Sequence, residues 1–137
     1  MKFGVSEGKD EIYNDIGELI RNEDEEKKLQ IETTCYDLKM NNENDFPLPL
    51  GKGKLYITNR RCVFISNSVV GNGRAEKKDQ LYPNMHPFVQ WDIEKVRELK
   101  KNIFNTIIEF EEDGRIYKLY LKRSDYGKLA PILGNSE

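Results

Sequence analysis

Between Gly51 and Ser66 the chain reads GKGKLYITNRRCVFIS, and this run leaves few folds open. From Lys54 to Thr58, Leu55 and Ile57 fall on one face of an extended chain and Tyr56 on the other. From Arg61 to Ser66 both faces are apolar, through Cys62, Val63, Phe64 and Ile65. Short runs of this kind, bounded by turn residues, are strands. Only Asn59-Arg60 separates them, so they must fold back as an antiparallel hairpin, with Asn59 suited to a left-handed turn position. Leu55, Ile57, Cys62, Phe64 and Ile65 make this hairpin part of a core.

The flanking sequence supplies more strands. Residues 29–39 alternate around Leu29, Ile31, Cys35, Tyr36 and Leu38 and predict a strand. Residues 41–53 are a loop marked by Pro47, Pro49, Gly51 and Gly53, and a long loop runs from Asn67 to Pro87. Phe88 to Ile93 is strand-like, and Val96 and Leu99 mark a short strand after a turn. Ile103 to Glu111 and Arg115 to Lys122 form a second hairpin around Asp113-Gly114. Ser124-Asp125 is placed to cap a short helix from Tyr126 through Leu133, limited by Gly127 and Pro131. At the other end, Ile12, Tyr13, Ile16, Leu19 and Ile20 make a helical stripe over residues 10–21; Gly17 counts against it, and an extended strand is the competing reading. The prediction is a mainly β fold of six or seven antiparallel strands with helical segments at its ends.

A chain of 137 residues fits one domain. Its apolar runs are only a few residues long, where a membrane span needs about 20. The N-terminus lacks the apolar stretch of a signal peptide. Cys35 and Cys62 each fall in a strand-like run and read as buried free thiols. These features point to a cytoplasmic protein, at most peripheral to a membrane. The net charge of −2 conceals a division. Residues 1–46 hold six Lys/Arg against thirteen Asp/Glu, and residues 47–137 hold sixteen against eleven. A local basic field attracts anionic surfaces even on an acidic chain, although the two regions can equally neutralise each other.

Catalytic chemistry is not legible. His86 is the single histidine and reads as a loop residue rather than a general base. With two cysteines and one histidine, neither a zinc site nor a nucleophile–base pair assembles from the sequence. Gly71-Asn-Gly73 lacks the third glycine and the context of a dinucleotide loop, and Gly51-Lys-Gly53-Lys precedes a strand where a P-loop precedes a helix. The acidic residues Glu111 to Asp113 form a solvated hairpin tip and not a calcium loop. The expectation is a protein without enzymatic activity, metal or cofactor.

The segment Gly53-Lys-Leu-Tyr-Ile-Thr-Asn-Arg-Arg-Cys-Val-Phe-Ile-Ser66 resembles the signature hairpin of GRAM-type domains, members of the pleckstrin-homology (PH) superfold. That signature has a glycine, a strand ending in Leu-Thr, a basic turn and an apolar strand ending in Phe. Phe88-Val-Gln-Trp-Asp-Ile-Glu-Lys-Val96 is similar to the block that follows it in the family, and Ile107 to Leu121 to the next hairpin. The GLUE domain of the ESCRT machinery and the chloride-conductance regulator/methylosome subunit share a similar hairpin. The resemblance covers residues 29–133 and implies a bent, PH-like antiparallel β-sandwich of about seven strands closed by a C-terminal helix. Residues 1–28 are then an acidic N-terminal extension and 134–137 a tail. The family's capping helix is longer and more amphipathic than this one, so the expectation is either that the chain is a piece of a larger protein or that the N-terminal helix at 10–21 covers the open sheet instead.

Such domains bind phosphoinositides in some cases and proteins in others, so the resemblance implies a binding or adaptor module with two candidate ligands. For an anionic membrane lipid the candidate residues are Lys52, Lys54, Arg60, Arg61, Arg74, Lys77 and Lys78, on the loops flanking the first hairpin, with Val69 and Val70 as an apolar tip. Against this stands a solvated turn at Arg60-Arg61, or pairing of Arg61 with an acid on a neighbouring strand. For a protein partner the candidates are Leu81, Tyr82, Met85 and Phe88 in the long loop, or an open sheet edge. The acidic N-terminal region is a candidate mask for the basic face. Nucleic acid is not expected, because the aromatics do not interleave with the basic residues as on a stacking platform.

Overall fold

The computed structural model describes residues 1–4, 11–14, 16–40, 50–67 and 85–134. Among them the chain forms strands β1 (Lys2–Gly4), β2 (Lys27–Cys35), β3 (Asp37–Met40), β4 (Gly51–Thr58), β5 (Arg61–Ser66), β6 (Phe88–Asp92), β7 (Val96–Lys101), β8 (Asn105–Glu112) and β9 (Arg115–Lys122), then one helix, α1 (Tyr126–Leu133). They make two antiparallel sheets, ordered β1-β6-β5-β4-β2 and β3-β9-β8-β7. The fold is mainly β, a sandwich with a short C-terminal helix, as the sequence pattern predicts. No helix among the described residues is long and apolar enough to cross a membrane.

The predicted strand at 29–39 is divided between the sheets. β2 pairs with β4, and β3 pairs with β9. Only Tyr36 separates them, its N–H donating to the Tyr120 carbonyl at 2.9 Å. One bent strand therefore stitches the two layers together at a corner. The Asp113-Gly114 turn has positive φ at both residues (55° and 78°), which suits the right-handed twist of β8 and β9.

The alternation in the first hairpin decides where the cores sit. Leu55 opposes Phe64 and Ile57 opposes Cys62 on the inner face, where they meet Val89, Trp91, Ile108, Phe110 and Leu119. Trp91 stacks on Phe110 with centroids 3.8 Å apart. Leu129 of α1 is fully buried in the same core. On the outer face, Tyr56, Val63, Ile65 and Phe88 form a second core with Ile12 and Tyr13. β5 is apolar on both faces because both are covered.

That cover is not a helix. Residues 11–14 and 16–20 fold back on themselves, with a bridge between Tyr13 and Leu19 and a hydrogen bond from the Ile20 N–H to the Ile12 carbonyl. The Asn14 side chain accepts from the N–H groups of Ile16 and Glu18, and Gly17 supplies a positive φ of 79°. A helix would have turned Ile16 inward with Ile12; instead Ile16 is solvent-exposed. A short polar side chain that binds local backbone, followed by glycine, favours a turn over a helix. The predicted helix at 10–21 is thus corrected, while a role for this segment in covering the sheet is retained.

Two further expectations change. The second hairpin's first strand begins at Asn105, leaving Ile103 and Phe104 in an exposed turn. α1 spans the predicted residues, but Asp125 does not cap it. Its carboxylate is buried and accepts a hydrogen bond from the Thr33 hydroxyl on β2.

Candidate functional site

The seven basic residues named from sequence do not form one cluster. Arg60 and Arg61 lie at one end of the β4–β5 hairpin and Lys52 at the other, where Gly53 pairs with Ser66. Seven residues of strand separate the ends, roughly 20 Å at about 3.3 Å per residue. Arg74, Lys77 and Lys78 lie outside the described residues, as do Val69, Val70, Leu81 and Tyr82.

At the Arg60-Arg61 end a cleft of about 340 Å³ is lined by Lys2, Glu11, Ile12, Asn22, Arg60, Arg61, Gln90 and Asp92, but its Arg61 guanidinium is taken up by the chain itself. Arg61 is buried, and its Nε and Nη2 donate to the two oxygens of Glu25 at 2.7 and 2.9 Å. Nη2 also donates to the Ile20 carbonyl and Nη1 to Gln90 Oε1. Glu25 receives a third donor from the Thr58 hydroxyl and a fourth from the Asn22 N–H. Burial alone raises the Glu25 pKa, but the hydrogen bonds from Arg61, Thr58 and Asn22 outweigh it and hold the carboxyl at about 2. Thr58 Oγ1 also accepts the N–H groups of Arg60 and Arg61, so its donor and both acceptor positions are used. This hydroxyl shapes the turn, and Asn59 is not left-handed as predicted: among the described non-glycine residues only Asp113 has positive φ. Arg60 pairs with Asp24 at the surface. The expectation that Arg61 faces an external anion is therefore corrected. Its planar fork is filled by Glu25, an acid in the charged connector that has no sequence signature of burial.

The opposite end holds a second, smaller cleft. A cleft of about 220 Å³ is lined by Glu32, Thr34, Lys52, Gly53, Asn67 and Lys122, with Thr33 at its inner side. Lys52 comes from the start of β4 and Lys122 from the end of β9, seventy residues later. The bend at Tyr36 brings them together, because β2 lies beside β4 and β3 beside β9. Hydrogen bonds tie together the chain beside the cleft. The Asn67 N–H donates to the Lys52 carbonyl, the Ser66 hydroxyl to the Leu50 carbonyl, and the Ser66 N–H to the Pro87 carbonyl. Lys54, one pleat along from Lys52, is half-buried opposite Glu32. Two ammonium groups, a hydroxyl and an amide around a small cleft can hold a phosphate-sized anion. Glu32 sets a like-charge limit on where that anion sits. Lys122, Asn67 and Thr34 were not among the sequence candidates; only the pairing of the 29–39 strand with the last strand would have found them.

The remaining candidates are structural. Phe88, proposed as a partner anchor, is buried in the outer core and unavailable to a partner. Met85 is half-buried at the start of the described segment. His86 is also buried, its Nδ1–H donating to the Ser66 carbonyl at 2.7 Å while its own backbone N–H donates to the Tyr13 hydroxyl. Burial pushes the thiols of Cys35 and Cys62 up to about 12, which leaves almost no thiolate at neutral pH. Among the described residues no group of three His, Cys, Asp or Glu side chains is placed to hold a metal ion.

No protein-family model matches this chain, and neither a curated protein nor a solved structure does.

Proposed function

We propose that this protein is a non-enzymatic binding module of PH-like, GRAM-type fold that recruits what it is attached to onto anionic membrane lipid, with a phosphoinositide headgroup as the ligand. Taking β2 and β3 as one bent strand, the sandwich has seven strands besides the short β1, and it ends in a helix. That matches what the resemblance implies. The observation that carries the reading is the cleft where Lys52 and Lys122 meet Thr34 and Asn67. Each basic residue near an anionic leaflet contributes about 1 kcal/mol. The protein-partner alternative loses Phe88, which is core, and keeps a sheet edge or the rest of the 67–87 loop, where Leu81 and Tyr82 lie outside the described residues.

Sedimentation with phosphatidylcholine vesicles carrying phosphoinositide is the direct test. Wild type should pellet with the vesicles, less so as salt rises. Lys52→Glu with Lys122→Glu should weaken binding roughly thirtyfold or more, the effect of about 2 kcal/mol. Arg60→Glu, at the far end of the hairpin, should leave binding within about twofold of wild type. A protein that stays in the supernatant at low salt overturns the reading.

A further inference from the structure

The turn between β7 and β8 exposes two large apolar side chains in succession. Ile103 is 79% and Phe104 75% exposed, although the alternating pattern predicts a continuing strand there. The turn is built rather than frayed. Asn102 Oδ1 accepts the N–H groups of Phe104 and Asn105 at 2.8 and 2.7 Å, and the Asn102 N–H donates to the Asn105 carbonyl. The Asn105 amide in turn donates to the Leu121 carbonyl on β9. With the Asn102 side chain spent on closing the turn, Ile103 and Phe104 stand exposed at its tip among the described residues.

Their surroundings are basic. Lys101 precedes the turn, with its Nζ 4.4 Å from the centroid of the Tyr126 ring. Asn105 pairs with Lys122, so Lys122 and the exposed Arg123 sit at the same end of the sheet as the tip. Of the nearby acids, Glu109 is buried with Lys100 and Lys118 about it, and Asp125 is buried, one oxygen accepting from Thr33 and the other without a hydrogen-bond partner among the described residues. Lys122 also lines the cleft described above, so the apolar tip and the anion cleft share one end of the sandwich.

We infer that the Asn102–Phe104 tip is a membrane-insertion element, seating Ile103 and Phe104 among the acyl chains of an anionic bilayer while Lys101, Lys122 and Arg123 meet its headgroups. The inference rests on the lipid-binding reading and adds to it that the ligand is a bilayer surface, not a free headgroup. Apolar side chains beside cations are the pairing that interfacial binding needs, since burial and headgroup attraction then act together.

Phe104→Trp supplies a reporter. Trp91 is the single native tryptophan and is buried in the inner core, so wild-type emission should be unaffected by vesicles with brominated acyl chains. Phe104→Trp emission should be quenched by the same vesicles and not by soluble inositol phosphate. Ile103→Ser with Phe104→Ser should lower affinity for phosphoinositide vesicles at least about tenfold while leaving the melting midpoint within a few degrees, because both side chains are exposed. If wild type binds vesicles but Phe104→Trp is not quenched, or the double serine variant binds as tightly, the tip has no insertion role and the cleft alone carries binding. If wild type fails to bind, the lipid reading falls and the tip's role with it.

Discussion

Arg61→Ala should lower the free energy of unfolding by about 3–5 kcal/mol at neutral pH, the range for removing one partner of a buried ion pair. The substitution leaves Glu25 charged and buried, with two of its four hydrogen bonds gone. It also orphans the Ile20 carbonyl and Gln90. Glu25→Leu combined with Arg61→Leu should recover a large part of the loss, because no uncompensated charge remains. Urea denaturation of the three proteins decides the matter, and a loss below 1 kcal/mol for Arg61→Ala would mean that the pair behaves as a surface bridge. The same pair makes stability depend on pH. The folded-state pKa of Glu25, about 2, lies below its ordinary value of 4.5. Its contribution, about 3 kcal/mol, is therefore complete above pH 4.5 and is lost as the pH falls towards 2. Glu25→Gln should remove this part of the acid sensitivity and start from a lower stability at pH 7.

Gly53→Ala should cost about 3 kcal/mol or more, although alanine is the smallest change available. A Cβ at this position would lie 2.3 Å from the Ile65 carbonyl oxygen and 2.9 Å from the Ser66 Cα. Both are backbone atoms of the paired strand, so the hairpin itself must move, and overpacking of this kind is among the larger single-residue effects. Gly53 itself lines the Lys52 cleft, so anion binding should weaken with stability. Gly127→Ala is the matched control. Nothing lies within 4 Å of a Cβ there, the residue is exposed, and it belongs to α1. Removing a helical glycine should stabilise by up to about 1 kcal/mol. Equal effects at the two positions would show that chain entropy rather than close approach governs Gly53.

Local pattern was enough to locate the strands from β4 onward: alternation where a strand is half-buried, as in β9, and a short continuous apolar run where both faces are covered, as in β5. The Asp113-Gly114 hairpin was legible from its turn residues and their flanks, and the residues of α1 from their bounds, although Asp125 does not cap the helix. The N-terminal segment was not. Its apolar residues at 12, 13, 16, 19 and 20 satisfy a helical stripe, yet Asn14 and Gly17 close a turn, and Ile16 is left in solvent. Periodicity reports which residues are apolar, and a fold-back over an existing sheet can bury them with another geometry. Ile103 and Phe104 continued a strand pattern and were instead diverted by Asn102 into an exposed turn.

The sequence by itself determined the β class, the hairpin at Gly51–Ser66 as core, and the basic character of the second half of the chain. Tertiary structure alone decided what each basic residue does. Arg60 and Arg61 are adjacent in the chain, but strand pleating and the fold-back of residues 20–25 send one to solvent and the other into a buried pair with Glu25. Lys52 and Lys122 are seventy residues apart, but the bend at Tyr36 makes them neighbours on one cleft. Charge is carried by residues and counted from sequence. Its burial, pairing and convergence are set by strand register and by which segment covers which face, and those are long-range facts that no local window contains.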